Sequence, residues 1–359
     1  MTAVDVKLHE RSYTIEIGTD VLGQLGAHVA DWCAPSHAVV ITDENVEKPH
    51  ALAAATSLSQ AGATVDLLVV EPGEQTKNVA SAAGLWDKML ALGADRKSVV
   101  VAVGGGVVGD LAGFVAATFA RGLAYVQVPT TLLAQVDSSV GGKVGVNLAG
   151  GKNMVGAFWQ PAGVLIDTAV LDTLPEREYT AGLAEVVKYG VILDADFFAY
   201  LEAHAKELSG RDADVLQHVV ARCCRLKADV VEADERELTG GRAVLNYGHT
   251  FCHALETVTG YGRYLHGEAV AIGMLCASRL AERLGRVDAE LTERQQKLLT
   301  ALKLPVDFPA LDHEALLAAM ARDKKVEHGR LRFVLPSRMG HVELVGDIDQ
   351  QDVRAVLGD

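Results

Sequence analysis

The chain has 359 residues, 49% hydrophobic and 22% charged, enough to bury a sizeable core and more than a single domain usually holds. Acidic residues outnumber basic ones 47 to 33, for a formal net charge of −14, and no Lys/Arg run is long enough to track a phosphate backbone, which argues against a nucleic-acid partner. An anionic substrate would have to be held by a local cluster of cations against an unfavourable global field.

Taken in order, Val4-Asp5-Val6-Lys7-Leu8 and Tyr13-Thr14-Ile15-Glu16-Ile17 alternate apolar with polar residues and predict an antiparallel hairpin at a sheet edge. Charges at Asp5, Lys7 and Glu10 stand where a signal peptide would need an apolar core. Asp20 reads as the N-cap of a helix over 20–32, and His37-Ala38-Val39-Val40-Ile41-Thr42 as a buried strand that delivers Asp43, Glu44 and Asn45 at its carboxyl end. An acidic residue there is placed to accept hydrogen bonds from a ribose; as a helix N-cap, Asp43 or Asn45 serves equally well.

A helix over 49–61 leads to a strand at 64–70, then to the polar turn Glu71-Pro72-Gly73-Glu74-Gln75-Thr76-Lys77 and a helix over 78–92. The central strand is Ser98-Val99-Val100-Val101-Ala102-Val103, a β-branched run without alternation that suits a parallel strand buried on both faces. It stops in Gly104-Gly105-Gly106-Val107-Val108-Gly109-Asp110, whose N–H groups suit a pyrophosphate, although a glycine turn alone is a weak signal. Tyr125-Val126-Gln127-Val128-Pro129 supplies the next strand.

Residues 130–153 read as a functional loop, because Asp137, Ser138, Ser139, Lys143, Lys152 and Asn153 alternate with Gly141, Gly142, Gly145, Gly150 and Gly151. Gly142-Lys143 is not a P-loop, since Val144 stands where Ser or Thr should bind magnesium. After a last strand, Val164-Leu165-Ile166-Asp167, the pattern turns helical: 181–193, 195–208, 212–233, 248–258, 267–284, 290–302 and 313–322, with a small hairpin possible from 331–335 and 341–345. The expectation is an α/β N-terminal domain over 1–173, with a doubly wound, mostly parallel, Rossmann-like sheet, followed by an all-helical C-terminal domain over 174–359. Five cysteines, Cys33, Cys223, Cys224, Cys252 and Cys276, follow no CxxC spacing and fit a reducing cytoplasm.

Three clusters in the second half could carry chemistry. Glu185 and Lys188 lie i, i+3 on an apolar helix, a spacing also common in surface ion pairs. Asn246, His249 and His253 share a helix side, and His266 precedes a glycine that opens the next helix. One carboxylate and two imidazoles are the ligand number of a catalytic zinc, but spacing does not choose between His249/His253 and His249/His266.

The stretches 104–110, 128–143, Gly151-Lys152-Asn153, 182–188 and 246–253 together closely resemble the 3-dehydroquinate synthase family, in order and over nearly the whole chain. The resemblance implies a Zn2+ or Co2+ site made by Glu185, His249 and His266, with His253 contacting substrate. It implies NAD bound by Asp43 and Asn45, by Glu71, Gly73, Glu74, Thr76 and Lys77, by Gly105, Gly106, Val107, Val108, Gly109 and Asp110, and by Thr130 and Thr131. Lys143, Lys152, Asn153, Val170, Thr173 and Leu174 complete that set. Substrate would be held by Asp137, Lys143, Lys188, Lys227, Arg242, Asn246 and a lysine of Asp323-Lys324-Lys325, with Arg121 reaching in from a partner subunit of a homodimer.

The reaction so implied converts 3-deoxy-D-arabino-heptulosonate 7-phosphate to 3-dehydroquinate and phosphate, a step of aromatic amino-acid biosynthesis. A C5 alcohol is oxidised by NAD, which acidifies C6 so that phosphate can leave; the ketone is reduced again, and the opened ring closes by an intramolecular aldol step. NAD is regenerated, and the lysines and arginines supply the local positive charge an acidic protein otherwise lacks. The alternative is a sibling sugar-phosphate cyclase of the aminocyclitol or valiolone type, whose substrate lacks the carboxylate.

Overall fold

A computed structural model describes residues 1–260, 262–322 and 332–358. The chain divides into two compact units, Met1–Pro175 with Leu216–Arg236, and Glu176–Val215 with Glu237–Asp359.

The first unit is built on strands β1 (Thr2–Val6), β2 (Tyr13–Gly18), β3 (His37–Asp43), β4 (Thr64–Val70), β5 (Ser98–Gly104), β6 (Ala124–Pro129), β7 (Lys143–Leu148), β8 (Gly151–Phe158) and β9 (Gly163–Asp167). Seven of these form one sheet in the order β1-β2-β9-β6-β5-β3-β4, parallel except for the β1/β2 hairpin at its edge. Alternate residues of β5 face opposite sides. Val99, Val101 and Val103 enter an apolar cluster with helices α1 (Leu25–Cys33) and α3 (Leu52–Gln60), reached after the short turn α2 (Glu44–Val46). Val100 and Ala102 enter another with α4 (Val79–Ala91) and α5 (Gly106–Thr118). The unalternating β-branched run is thus a strand covered on both faces.

Chain order reverses between β3 and β5: β4 lies on one side of β3, whereas β5, β6 and β9 follow on the other. In open parallel sheets ligands bind outside the carboxyl ends of the strands at such a reversal, which here brings Asp43 and Gly104 side by side.

Several expectations are corrected by local physics. Asp20 caps nothing; it sits at φ 57°, and Asp167 at the end of β9 accepts from the N–H groups of Asp20, Val21 and Leu22 at 2.8–2.9 Å. The helix expected over 49–61 begins earlier, because Asp43 accepts from Asn45 and Val46 and starts α2, which runs through a π turn at Glu47–Ala51 into α3. Residues 130–153 are not a bare loop: a π turn at Ala134–Ser138 precedes the β7/β8 hairpin, in which Val144 and Val146 are buried.

The second unit contains α6 (Glu176–Leu193), α7 (Ala195–Ala203), α8 (Ala205–Ser209), then, after α9 (Ala213–Ala233), α10 (His249–Thr259), α11 (His266–Arg283), α12 (Ala289–Ala301), α13 (His313–Arg322), the hairpin β10 (Phe333–Arg338)/β11 (His341–Val345), and α14 (Gln350–Ala355). The helix expected over 195–208 breaks at His204, whose φ of −116° is not helical. The partition expected at 173/174 falls two residues before the end of the first stretch, but most of α9 groups with the sheet instead of with the later helices. Its side chains explain why: Arg225 donates to Asp5 O, Glu232 accepts from Lys7 N and Gln217 donates to Thr2 Oγ1. These contacts tie α9 to β1 and the residue that follows it.

Candidate functional site

At the carboxyl ends of the sheet, β5 ends at Gly104 and α5 starts at Gly106, with Gly105 as an N-cap that offers no side-chain acceptor. Thr130 N donates to Gly104 O at 3.0 Å, and the Thr130 hydroxyl is buried without a hydrogen-bond partner, a polar atom left for a ligand to satisfy. Thr131 lines the same turn: a Cβ on Gly105 would come within 3.0 Å of its methyl carbon. The Asp43 carboxylate caps α2; burial pushes it up, and the two N–H bonds from Asn45 and Val46 pull it down.

Several of the expected nucleotide residues converge around Lys77. It is 4% exposed, with Nζ 2.7 Å from Asp110 Oδ2 and 3.7 Å from Glu74 Oε1. Burial raises the Asp110 carboxyl, against the ammonium that favours its charged form. Asn147 donates to Glu74 at 2.7 Å and accepts from Asn153 N at 2.8 Å, an acceptor and donor that the sequence reading passed over. Thr76 is buried beside Lys77, whereas Glu71, Gly73, Lys143 and Lys152 are exposed.

Within α5, Val107 and Gly109 are half-buried, but Val108 is 1% exposed and belongs to the apolar cluster, and Gly109 O accepts from Tyr125 Oη at 2.6 Å. Val170 is likewise core, Leu174 is half-buried, and Thr173 Oγ1 lies 2.7 Å from His50 Nε2. Lys227 on α9, 6% exposed, donates to Asp137 O and to Asp137 Oδ1 at 2.5 and 2.8 Å. Arg121 is exposed, in a left-handed turn at φ 69° after α5.

In the second unit three helices meet because small residues let them. A Cβ on Gly267 would lie 1.8 Å from Ala181 O, so the start of α11 rests on α6 at a distance only glycine permits. A Cβ on Gly273 would lie 2.3 Å from Gly248 O, seating α11 equally close to the start of α10. Glu185 lies one turn after Ala181, His266 adjoins Gly267 and His249 adjoins Gly248, so these close approaches bring the three side chains together.

Glu185 is 1% exposed; its Oε1 accepts no hydrogen bond and stands 3.7 Å from His249 Nε2 and 3.8 Å from His266 Nε2. Ligand atoms about 2.0–2.2 Å from a tetrahedral ion are roughly 3.4 Å apart, so the spacing is that of a cation site. The other ring nitrogens face acceptors: His249 Nδ1 is 3.1 Å from Tyr247 O, and His266 Nδ1 is 3.3 Å from Glu256 Oε1. Those acceptors suit a donating Nδ1–H on each ring, and both Nε2 atoms face Glu185.

Lys188, 1% exposed, contacts Glu185 Oε2 and balances the buried charge. His253 stands edge-on to His249, ring centres 5.6 Å apart, and falls outside the donor group of Glu185, His249 and His266. Arg242 is 3% exposed with Nε 3.6 Å from Glu237 Oε1, and Asn246 is half-buried at the end of the turn before α10. Lys324 and Lys325 lie outside the described residues. Glu256 and Cys252 were missed, although their i, i+4 spacing on the helix of His249 was visible.

A parallel sheet open at a chain reversal, and a helical unit holding a buried carboxylate between two oriented imidazoles, define the class: a two-unit α/β-plus-helical protein with a candidate metal centre. Its solved neighbours share that build. The structure of 2-deoxy-scyllo-inosose synthase complexed with carbaglucose-6-phosphate, NAD+ and Co2+ superposes with a TM-score of 0.91 at 29% identity, covering 99% of each chain. That of 2-epi-5-epi-valiolone synthase from Streptomyces hygroscopicus, with NAD+ and Zn2+ bound, gives 0.87 at 31% identity, over 98% of this chain and 97% of that one.

The family models for the 3-dehydroquinate synthase N-terminal and C-terminal regions match residues 67–181 and 182–326. The 3-dehydroquinate synthase of Rhodopirellula baltica is 50% identical over 364 residues, covering 99% of this chain and 96% of its own. The chain belongs to the 3-dehydroquinate synthase family. Among the described residues, no helix is long and apolar enough to cross a membrane.

Proposed function

We propose that this chain converts 3-deoxy-D-arabino-heptulosonate 7-phosphate to 3-dehydroquinate and phosphate, using NAD and a divalent cation, Zn2+ or Co2+, neither of which is consumed. The observation that carries the reading is Glu185 Oε1, buried without a hydrogen bond between two Nε2 atoms in a chain 50% identical to a curated member of the family. The donor set fits such a cation, with one carboxylate and two imidazoles whose ligand atoms lie within 4.8 Å of one another. Held there, a cation supplies Lewis-acid polarisation of a substrate hydroxyl; NAD supplies reversible hydride acceptance.

The chain's own residues bind and orient. The sheet unit holds the nucleotide through its glycine turn, Thr130, Thr131 and the Glu74–Lys77–Asp110 group, and the later helices hold the cation, in keeping with a partition near 173/174. Lys188 pairs with Glu185, and Lys143, Lys152, Lys227 and Arg242 supply positive charge for the substrate's carboxylate and phosphate. Asp137 orients Lys227; Asn246 and His253 take hydroxyl groups. Arg121, exposed in this chain, serves a partner subunit in a cytoplasmic homodimer.

The sibling cyclases are the second reading, favoured by the structural match alone. Curated family members at 46–50% identity, against 28–31% for the siblings, favour the heptulosonate substrate. The purified chain, with NAD and Zn2+, should release phosphate from the heptulosonate phosphate without net NADH. Turnover of glucose 6-phosphate or sedoheptulose 7-phosphate instead would overturn the proposal.

A further inference from the structure

The His266 imidazole has two edges, and the centre just described uses only Nε2. On the other edge, Nδ1 lies 3.3 Å from Glu256 Oε1 and 3.9 Å from Cys252 Sγ, and these donor atoms all fall within 4.8 Å of one another. Cys252 and Glu256 are one turn apart on α10 and share a face toward the first residue of α11. Both are buried, at 0% and 9% exposure, while the His266 side chain, 34% exposed, opens the group to solvent.

Thiolate, imidazole and carboxylate together are the donor chemistry of a thiophilic d10 cation. With bonds of about 2.3 Å to sulfur and about 2.0 Å to nitrogen and oxygen, a tetrahedral ion sets sulfur and nitrogen roughly 3.5 Å apart, and nitrogen and oxygen roughly 3.3 Å. Glu256 Oε1 already stands at 3.3 Å from Nδ1, and Cys252 Sγ, at 3.9 Å from Nδ1, needs to move in by about 0.4 Å.

We propose a second cation site at Cys252, Glu256 and His266 Nδ1, selective for thiophilic divalent ions such as Cd2+ or excess Zn2+, and inhibitory when filled. Binding breaks the Cys252 S–H and His266 Nδ1–H bonds and releases both protons to solvent. Bonds to Sγ, Nδ1 and a Glu256 oxygen form in their place, and nothing is oxidised or reduced. The filled site takes Glu256 away from its hold on the His266 ring and puts a second positive charge across one imidazole from the first. Inhibition follows from both effects.

The test is a Cd2+ titration of the full-length, Zn2+-loaded protein, followed by the thiolate-to-metal charge-transfer absorbance, by metal content after gel filtration and by phosphate release. We expect the absorbance to saturate at one Cd2+ per chain, with one Zn2+ retained and activity lost in step. Cys252→Ser and Cys252→Ala should keep the Zn2+ and the activity while losing the absorbance and the inhibition. Cys33→Ser, at the one partly exposed cysteine, should behave as the parent. Glu185→Gln should lose the Zn2+ yet keep the absorbance, which separates failure of this site from failure of the proposed catalytic centre. Absorbance that persists in both Cys252 variants, or none in the parent, overturns the proposal.

Discussion

Replacing Gly267 by alanine should dismantle the metal centre without touching a ligand. The new Cβ would lie 1.8 Å from Ala181 O and 2.5 Å from its carbonyl carbon, both backbone atoms of α6 that cannot rotate away. An acceptable C···O contact is about 3.3 Å, so the start of α11 must retreat by about 1.5 Å. Carried to His266, that retreat stretches the 3.8 Å between its Nε2 and Glu185 Oε1 to about 5 Å. Two ligands with bonds of about 2.1 Å cannot share an ion beyond about 4.2 Å. Gly267→Ala should therefore lose metal on dialysis that the parent retains, lose phosphate release with it, and be destabilised by about 1–3 kcal/mol through overpacking. Metal content by atomic emission, read beside thermal unfolding, is the assay. A folded Gly267→Ala protein that keeps the metal at parental affinity would refute the argument that close helix approach builds the site.

Gly84 gives the opposite expectation: it sits exposed within α4 with nothing within 4 Å of an added Cβ, so Gly84→Ala should stabilise by about 0.5–1 kcal/mol in urea unfolding, and no gain would contradict this. Asp167→Ala should cost about 3 kcal/mol or more, since it strips acceptors from the N–H groups of Asp20, Val21, Leu22 and Ala169; a loss under about 1 kcal/mol would mean those donors find other partners. Glu235 is held below the usual carboxylate range first by its hydrogen bond from Arg11, with a further bond from Gln160. A depressed folded-state value means stability that is present above the unfolded value near pH 4.5 and is lost as pH falls below it. Glu235→Gln should accordingly flatten the acid limb of a stability–pH curve; parallel curves for variant and parent below about pH 4.5 would contradict the assignment.

The sheet was legible because its strands are written in β-branched runs: Val99 to Val103 fill clusters on both faces, as an unalternating pattern requires. Capping was less so. Asp20 and Asp167 are each a plausible N-cap, and only the register of β9 beside β2 brings Asp167 under the N–H groups that Asp20 was expected to serve. The affinity of α9 for β1 rests on contacts between residues more than 200 apart in sequence, such as Arg225 with Asp5, which periodicity does not encode. At the candidate centre, spacing offered His253 and His266 equally. The family resemblance pointed to His266, and packing at Gly267 and Gly273 gives the physical reason: it sets His266 Nε2 3.8 Å from Glu185 Oε1, while His253 lies edge-on to His249. The β7/β8 hairpin was hidden by its glycines, which read as loop, while Val144 and Val146 marked its buried face.

The central claim is that Glu185, His249 and His266 share one divalent cation. Anomalous diffraction from crystals grown with Zn2+ and NAD tests it most directly. A zinc peak is expected about 2.0–2.2 Å from a Glu185 oxygen and from Nε2 of both His249 and His266, with a remaining position open to solvent or substrate. A zinc peak bonded to His249 and His253 instead, or none near Glu185, would contradict it.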